Sequence, residues 1–416
     1  MYNYANEAVD NVYIENITFR NFRNYEQLSL DFSPNVNLIV GGNAQGKTNI
    51  LEGIHYLSTA KSHRTSVDTE LIQNEKDWFY LKGRVFARSI VTEVEMINAC
   101  DDKKKVKIDG KIQNKISSII GKISIVMFSP EDLSLVKGSP SERRRFLDIL
   151  LSGIDPTYLR DIQEYQSALK QRNELLRRIK EQKSANLSGN GNIDTLDSWN
   201  SLLSKFGAEV IKKRILLIPE LSELASDKHK ELTQSKERFE INYQSQLLKS
   251  LVSNEQIYDA FCKNLNNNIE SDIRSGTTSV GPHRDDLVFA IDGMDIRKFC
   301  SQGQQRTSVL SLKLATLELM KHHLGEYPII LLDDVTSELD SQRVLLLFNL
   351  LSKIPSQTLL TTTGLSELLN NGLETWLYGD YDSDVRIFIV DNGNVRDGNA
   401  EYKDSLRKHI GSARTE

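Results

Sequence analysis

Apolar and polar positions alternate with a period of two over much of the first 130 residues, which is the pattern of half-buried β-strands. Residues 26–32 show this alternation most clearly. Val36–Val40 is a continuous apolar run that ends in a glycine-rich turn, after which residues 48–57 have the spacing of a helix. Further strands are predicted at 12–19, 79–86, 90–97 and 123–128, with a hairpin turn at Asp109-Gly110.

The pattern becomes helical at Ser139, where a serine, a proline and an acid follow one another as at the start of a helix. About the next 130 residues are mostly polar and helical in pattern. Helices at 155–182 and 196–231 are predicted to lie antiparallel, with one break at Pro219. A flexible Gly/Ser/Asn tip is predicted between them at 184–192.

Strand patterns return in the last third of the chain. Strands are predicted at Asp286–Ile291, Ile329–Leu332, 358–361 and 385–390, and helices at 304–323 (amphipathic) and 344–351. The pattern therefore predicts an α/β chain in three parts. These are an N-terminal lobe at 1–138, an inserted helical domain at 139–270 and a C-terminal lobe at 271–416.

Composition adds limits on location and partners. The 416 residues, 39% hydrophobic and 26% charged, suit two or three soluble domains. No apolar run is long enough for a bilayer, and no secretory signal is visible. Three scattered cysteines argue against disulfides and predict a cytoplasmic protein. A net charge of −5 excludes little, because DNA binding needs only a local positive surface.

The glycine-rich turn is a complete phosphate-binding loop, Gly41-Gly42-Asn43-Ala44-Gln45-Gly46-Lys47-Thr48. Glycine is needed because backbone N–H groups must come close to phosphate oxygens. Lys47 is predicted to contact the β- and γ-phosphates, and the Thr48 hydroxyl to bind Mg²⁺. The strand before the loop and the helix after it favour nucleotide binding over a chance glycine-rich turn.

Two aspartates follow the apolar strand Ile329–Leu332, at the edge where open α/β sheets bind ligands. Asp333 is predicted to hold Mg²⁺. Asp334, expected on the other side of the strand, is predicted to be the general base or to orient water. A polar strand end is the alternative, and the phosphate loop earlier in the chain makes it less favoured.

A serine-glycine-glutamine loop, Ser301-Gln302-Gly303-Gln304-Gln305, precedes the predicted helix at 304–323. A hydroxyl, glycine amides and a helix N-terminus together form an anion site. Since residues 41–48 already serve one nucleotide, this second loop is predicted to contact the γ-phosphate bound to a second copy. An ordinary helix cap is commoner; only the position about 30 residues before Asp333 favours the functional interpretation.

Together these motifs resemble the ABC-type ATPase heads of the SMC class, and most closely the RecF family of bacterial recombination and replication-repair proteins. Besides the three motifs above, the resemblance is carried by Phe19-Arg20-Asn21-Phe22-Arg23-Asn24-Tyr25, Phe128-Ser129-Pro130-Glu131-Asp132-Leu133, Lys137-Gly138-Ser139-Pro140, Arg143-Arg144-Arg145-Phe146-Leu147-Asp148, Gln171-Arg172-Asn173, Gly281-Pro282-His283-Arg284-Asp285-Asp286 and Ser337-Glu338-Leu339-Asp340. These motifs span residues 12 to about 365 in the family's order.

The resemblance implies an α/β P-loop NTPase of the ABC/SMC head type with an inserted helical domain. It implies ATP and Mg²⁺ as cofactors, slow hydrolysis, an ATP-dependent homodimer, and binding to gapped, single-stranded or duplex DNA. It also implies repair at gaps and stalled forks in the SOS response, helping to load the recombinase beside recombination mediator proteins. By position, Ser301, Gly303 and Gln304 would contact the ATP of the partner copy. Arg20 and Asn21 would approach the nucleotide, and residues 337–340 would lie at the dimer interface.

Two departures from ABC heads concern catalysis. Asp334 stands where many heads carry glutamate, which agrees with slow hydrolysis and leaves the general base open. No histidine follows the strand predicted at 358–361; Thr362 and Thr363 occupy that region.

Five basic residues are the candidate DNA contacts: Lys104 and Lys105 near the hairpin, and Arg143, Arg177 and Arg178 in the helical insertion. Contacts from such residues to phosphates would give salt-sensitive binding with little sequence preference. A solvated charged face is the alternative, and charge alone favours it.

Two other functions compete with an ATP-dependent DNA-repair clamp. A transporter ABC subunit would lack the long helical insertion and would carry the catalytic histidine. A nucleotide-gated scaffold for repair proteins, with incidental DNA contact, would differ in the salt dependence of DNA affinity in the ATP state.

Overall fold

The computed structural model describes residues 12–87, 89–184, 191–247, 253–370, 373 and 385–401. These residues form two compact units. The first combines the chain up to residue 132 with the chain from 316 onward, and the second is the continuous segment 133–315.

The described residues contain strands and helices with the following bounds. The strands are β1 Tyr13–Phe22, β2 Tyr25–Asp31, β3 Val36–Val40, β4 Trp78–Ala87, β5 Ile90–Ala99, β6 Lys105–Ile108, β7 Lys111–Ile112, β8 Ile125–Phe128, β9 Phe239–Gln244, β10 Asp286–Ile291, β11 Met294–Asp295, β12 Ile329–Leu332, β13 Thr358–Thr362, β14 Val385–Asp391 and β15 Asn394–Asp397. The helices are α1 Lys47–Thr59, α2 Ser134–Lys137, α3 Pro140–Ile154, α4 Pro156–Ser184, α5 Gly191–Thr233, α6 Asn254–Asn267, α7 Ile269–Ser275, α8 Ile296–Phe299, α9 Gln302–Leu324, α10 Val335–Glu338, α11 Ser341–Leu351 and α12 Leu365–Asn370.

A largely parallel sheet in the first unit brings the candidate site residues to one edge. Its order is β15-β14-β3-β13-β12-β8, and only β15 is antiparallel to its neighbour. β3, β12 and β13 are buried at every residue, as expected of parallel strands covered on both faces. The phosphate loop follows β3 and Asp333 follows β12, with the end of β13 between them.

An antiparallel sheet in the same unit, with order β2-β1-β4-β5-β6-β7, packs its apolar face against α1. Phe19 of β1 lies so close to α1 that a Cβ at Gly53 would come within 2.4 Å of its ring. The predicted hairpin is confirmed, because Asp109 and Gly110 between β6 and β7 both have positive φ, 50° and 75°.

The second unit combines the helices α2–α8 and the first part of α9 with a small sheet of order β11-β10-β9. α4 packs along α5, and α5 also packs against α6 and β9. Because β9 pairs with β10 antiparallel, residues near 286–291 belong to this unit. The observed boundaries therefore differ from those predicted at 138 and 270, and the serine-glycine-glutamine loop lies in the unit of the helical insertion.

An ion pair lies in the core of the second unit. Arg172 on α4 and Asp272 on α7 are both fully buried, with Nη1 and Oδ2 2.8 Å apart. Arg172 also donates to Asn200 Oδ1 at 2.7 Å and to Thr278 Oγ1 at 2.7 Å. The Gln171-Arg172-Asn173 motif thus serves the packing of this unit.

We expect Arg172→Ala to lower the free energy of unfolding by about 3–5 kcal/mol, because Asp272 would keep a buried charge without its partner. Urea unfolding measures the change. Arg177→Ala, at an exposed position of the same helix, is the matched control and should change stability by no more than about 0.5 kcal/mol. Equal stability of the two variants would contradict this account of the core.

Two local predictions are wrong, and one strand was not predicted. The predicted break at Pro219 is absent, because α5 continues through it; Leu221 nearby is fully buried, and packing offsets the lost hydrogen bond. β9 lies within the stretch predicted to be mostly helical. α9 is buried on nearly all sides and is not amphipathic. Its serines tolerate burial because the hydroxyls of Ser308 and Ser311 donate to carbonyl oxygens of the preceding turn.

Most of the tip predicted at 184–192 lies outside the described residues. Within the described part of the chain, no helix combines the length and the apolar character needed to cross a bilayer.

Candidate functional site

The phosphate loop surrounds the ammonium group of Lys47. Its Nζ donates to the carbonyl oxygens of Gly41 at 2.6 Å and Gly42 at 2.8 Å, and the residue is only 8% exposed. Burial lowers the pKa of Lys47, and the carboxylates of Asp334, Asp333 and Glu367 act in the opposite direction. The cation is thus held inside the loop, where lysines of this motif contact phosphates.

Residues from the turn between β1 and β2 support the loop from outside. Tyr25 Oη donates to Gly46 O at 3.0 Å, and Asn24 Nδ2 donates to Gln45 O at 2.9 Å. Gly46 has φ 115°, and a Cβ there would lie 2.4 Å from Asn24 Nδ2. Glycine is therefore required at this position both by conformation and by space.

Asp333 joins the ends of three neighbouring elements. Its Oδ1 accepts from Thr48 Oγ1 at 2.9 Å and from Thr361 Oγ1 at 2.8 Å, and the residue is 3% exposed. Burial raises the pKa of Asp333, whereas the hydrogen bonds from Thr361 and Thr48 lower it. The two residues predicted to bind Mg²⁺, Thr48 and Asp333, are thus in direct contact although 285 positions separate them.

Asp334 forms a left-handed turn directly after β12. Its φ is 51°, and its backbone N–H donates to Thr361 Oγ1 at 2.9 Å. The side-chain Oδ1 is buried and has no hydrogen-bond partner among the described residues. Because the turn interrupts the alternation of a strand, the carboxylate comes within electrostatic range of Lys47. An unpaired acceptor at this place is what a general base or a water-orienting group requires.

Sequence reasoning missed Glu367, a fourth acidic or basic group of the site. Its carboxylate accepts from the hydroxyls of Thr336 at 2.6 Å, Thr362 at 3.0 Å and Thr363 at 2.7 Å. Burial raises the pKa of Glu367, but these hydrogen bonds outweigh it, and the pKa lies below its ordinary value. Glu367 thus ties α10 to the end of β13, in the region that lacks the histidine of ABC heads. The signal in the sequence was an acid four residues after Thr363.

Arg20 and Asn21 take up other positions than Asn24 and Tyr25. Arg20 is exposed on β1, in register with Tyr80 of β4. Asn21 is buried, and its carbonyl oxygen accepts from the backbone N–H of Gln73 at 2.9 Å. The role of these two residues towards the nucleotide stays a prediction.

Glu52 of α1 organises the adjacent loops. It is fully buried and accepts two hydrogen bonds from the Arg23 guanidinium, at 2.7 and 2.9 Å. Ser62 Oγ also donates to it, at 2.5 Å. Arg23 therefore fixes the turn with Asn24 and the start of β2 with Tyr25.

The serine-glycine-glutamine loop, in the second unit, is a capped helix start. Ser301 N donates to Gln304 Oε1 at 2.9 Å, and Gln304 N donates to Ser301 Oγ at 3.3 Å. This reciprocal pair is a capping box. Ser301 is exposed and Gly303 and Gln304 are half-buried, so the loop is accessible. A contact with the nucleotide of a second copy stays a prediction.

Two of the five candidate DNA contacts are held internally and are corrected here. Arg143 is 4% exposed and forms two hydrogen bonds with Asp286, at 2.8 and 2.9 Å. Lys104 pairs with Asp68 at 2.7 Å, and its side chain is 10% exposed. Both side chains are paired with half-buried carboxylates and are not available to phosphates.

The other three candidates remain at the surface. Lys105, Arg177 and Arg178 are exposed, and Lys105 pairs with Asp102. Exposure makes these three compatible with DNA contact and equally with a solvated face.

Comparisons with known proteins show the family of the chain. A family model described as the RecF/RecN/SMC N terminal domain matches residues 13–376. A protein of Lachnoclostridium phytofermentans named DNA replication and repair protein RecF is 42% identical over 385 residues, covering 92% of this chain and 99% of its own length.

Solved structures give the same result. That of the recombination mediator protein RecF with ATP, in the RecFOR pathway, is 33% identical with a TM-score of 0.82, covering 95% of this chain and 100% of its own. An Smc head domain from Pyrococcus furiosus is 17% identical with a TM-score of 0.53, covering 96% of this chain and 99% of its own, and shares the fold. The contact between Thr48 of the phosphate loop and Asp333 lies within the matched region. The chain has the fold of an ABC-type ATPase head with an inserted helical segment, and it belongs to the RecF/RecN/SMC N-terminal domain family.

Proposed function

We propose that this protein is an ATP-dependent DNA-binding protein of recombinational repair and replication-fork maintenance. In this proposal two copies close on ATP, hold DNA at gaps in the cytoplasm, and help recombination mediator proteins to load the recombinase in the SOS response. The observation that carries the proposal is the contact of Thr48 with Asp333, which completes a nucleotide site in a chain whose relatives are named for DNA replication and repair.

The residues of the site fit Mg²⁺ as well as ATP. Thr48 Oγ1 and Asp333 Oδ1 are hard oxygen donors 2.9 Å apart, the ligand type that Mg²⁺ prefers. When bound, Mg²⁺ would neutralise charge on the β- and γ-phosphates. Lys47 would contact the same phosphates from the loop. Asp334 would accept a proton from the attacking water, or orient that water, through its unpaired Oδ1.

A second copy would complete the site. Ser301, Gly303 and Gln304 offer a hydroxyl and helix N-terminal amides at an accessible loop. Each chain already binds its own nucleotide through its phosphate loop. The phosphate that suits the serine-glycine-glutamine loop is therefore the γ-phosphate of the ATP bound to a partner copy. Binding of two ATP molecules would then supply part of the free energy of dimerisation. Hydrolysis would remove this contribution, and the two copies would separate.

Sedimentation of the purified chain tests the proposal. The chain is run with Mg·ATP and without nucleotide, with and without a labelled gapped DNA, at two salt concentrations. An ATP-dependent dimer that holds DNA and loses it at high salt supports the clamp. A monomer indifferent to ATP and DNA overturns it.

One observation favours the second candidate, a nucleotide-gated scaffold for repair proteins. Arg143 and Lys104 are paired inside the protein, which leaves fewer exposed cations for DNA than predicted. A scaffold would dimerise on ATP while its DNA affinity stayed weak at low salt. The same sedimentation runs distinguish the two functions.

A further inference from the structure

The side chain of Gln304 is tied to a residue outside its own helix. Its Nε2 donates to Glu237 Oε1 at 2.9 Å, and Glu237 lies between α5 and β9, 67 positions earlier in the chain. Gln304 is also the residue whose Oε1 accepts from the backbone N–H of Ser301. Glu237 is therefore linked to Ser301 through a single amide group.

Glu237 is in turn held by His229, near the end of α5. The imidazole is fully buried, with Nε2 3.0 Å from Glu237 Oε2 and Nδ1 3.0 Å from Ser311 Oγ. Burial lowers the pKa of His229, although the hydrogen bond with Glu237 and the charge of Glu237 act in the opposite direction. Because a carboxylate can only accept, the contact with Glu237 places a hydrogen on Nε2 of His229, and Nε2 donates it to Glu237 Oε2.

This arrangement determines which way the Gln304 amide faces. A glutamine amide can turn over and exchange its oxygen and nitrogen, because both ends are of similar size. With Nε2 donating to the carboxylate of Glu237, Oε1 must face Ser301. Turning it over would place the amide oxygen against the carboxylate and the amide nitrogen against the Ser301 N–H, and both contacts would be repulsive.

The Ser301–Gln304 capping box alone would satisfy this helix start. The additional contact to Glu237 is charge-assisted, and such bonds are shorter and stronger than neutral ones. His229 takes up one carboxylate oxygen and Gln304 the other, so Glu237 cannot leave either without loss. The chain of contacts runs from buried Ser311 and His229 to the exposed Ser301.

We propose that Glu237, aimed by His229, is a positioning residue for the serine-glycine-glutamine loop, fixing Gln304 and Ser301 in the orientation that receives the partner's γ-phosphate. This inference rests on the proposed ATP-dependent dimer. Glu237 acts through Gln304 and needs no contact with the nucleotide. Its effect therefore falls on dimer formation, and ATP binding by the separate monomer is independent of it.

The test compares Glu237→Ala with Glu237→Gln in the full-length chain, by the dissociation constant of the Mg·ATP dimer and the ATP affinity of the monomer. Glu237→Ala is expected to weaken the dimer about tenfold, the loss that follows from removing one hydrogen bond to a charged group. Glu237→Gln should stay within about threefold, because its amide oxygen can still accept from Gln304. Its NH₂ can donate to His229 Nε2 once the imidazole hydrogen moves to Nδ1, which then donates to Ser311 Oγ. Monomer ATP affinity should be unchanged in both.

Wild-type dimer affinity in Glu237→Ala overturns the inference, and so does an equal loss in both variants. If Glu237→Ala folds poorly, Glu237→Asp takes its place, with an expected loss of several-fold because the carboxylate is withdrawn by one methylene. Ser301→Arg distinguishes failure of the positioning role from failure of the proposed dimer. Loss of the dimer in Ser301→Arg but not in Glu237→Ala sinks the positioning role alone, whereas wild-type dimerisation of Ser301→Arg sinks the proposed dimer.

Discussion

Asp334→Asn is expected to lower the rate of ATP hydrolysis about 10²–10³-fold and to leave ATP binding intact, since general-base groups contribute factors of this size. The buried Oδ1 of Asp334 has no hydrogen-bond partner among the described residues and is the candidate proton acceptor. The amide oxygen of asparagine accepts a proton far less readily. Asparagine tolerates the left-handed conformation that φ 51° requires, so the turn after β12 should survive. Removing one negative charge near Lys47 should also favour bound triphosphate.

Phosphate release in a single turnover and nucleotide affinity measure the two effects separately. Asp109→Asn is the matched control, because Asp109 also has a positive φ, 50°, but lies in the β6–β7 hairpin. Hydrolysis at the wild-type rate in Asp334→Asn would rule out Asp334 as the base. Glu367 would not be the next candidate, because four hydrogen bonds already occupy its carboxylate.

Ser301→Arg is expected to weaken the ATP-dependent dimer by about 100-fold or more while the monomer binds ATP as before. The arginine side chain would hold the loop several Å from the partner's phosphate, and at least two hydrogen bonds to a charged group would be lost. At about 1.5–3 kcal/mol for each bond, the loss amounts to a factor of this order.

Sedimentation at graded protein concentrations with Mg·ATP gives the dimer constant. Ser301→Ala controls for the lost helix cap, which costs about 0.5–2 kcal/mol of stability without adding bulk. Ser201→Arg places the same side chain on the exposed surface of α5 and should dimerise normally. Equal dimer formation by wild type and Ser301→Arg would refute the contact between copies.

Three strands were predictable because their signals are local. Val36–Val40, Asp286–Ile291 and Ile329–Leu332 were predicted with the bounds that the structure shows. β9 was missed because a six-residue strand amid helices gains its stability from pairing with β10, some 45 positions later. Burial of α9 on nearly all sides depends likewise on tertiary packing, which hides its serines and threonines.

The site was predictable where the residue types of one motif indicate their chemistry. It was not predictable where the role of a residue depends on contacts that form only on folding. The phosphate loop and Asp333 are recognisable by residue type, and the structure joins them as expected. Glu367 is recognised only by the three threonines that converge on it. Arg143 and Lys104 were wrongly predicted to be available to DNA. Charge in a sequence does not reveal whether a partner such as Asp286 lies beside the residue in the fold.

The position of β3 in its sheet has a consequence for synthesis of the chain. β3 pairs with β13 and β14, so Val36 waits for Thr358, made 322 residues later. At about 5–20 residues per second, the ribosome needs roughly 15–65 s to deliver that strand. Residues 133–315, which form their own compact unit, are complete earlier and can fold during the delay. The nucleotide site is therefore assembled late in synthesis, and β3, apolar at four of its five residues, must be kept from aggregating until then.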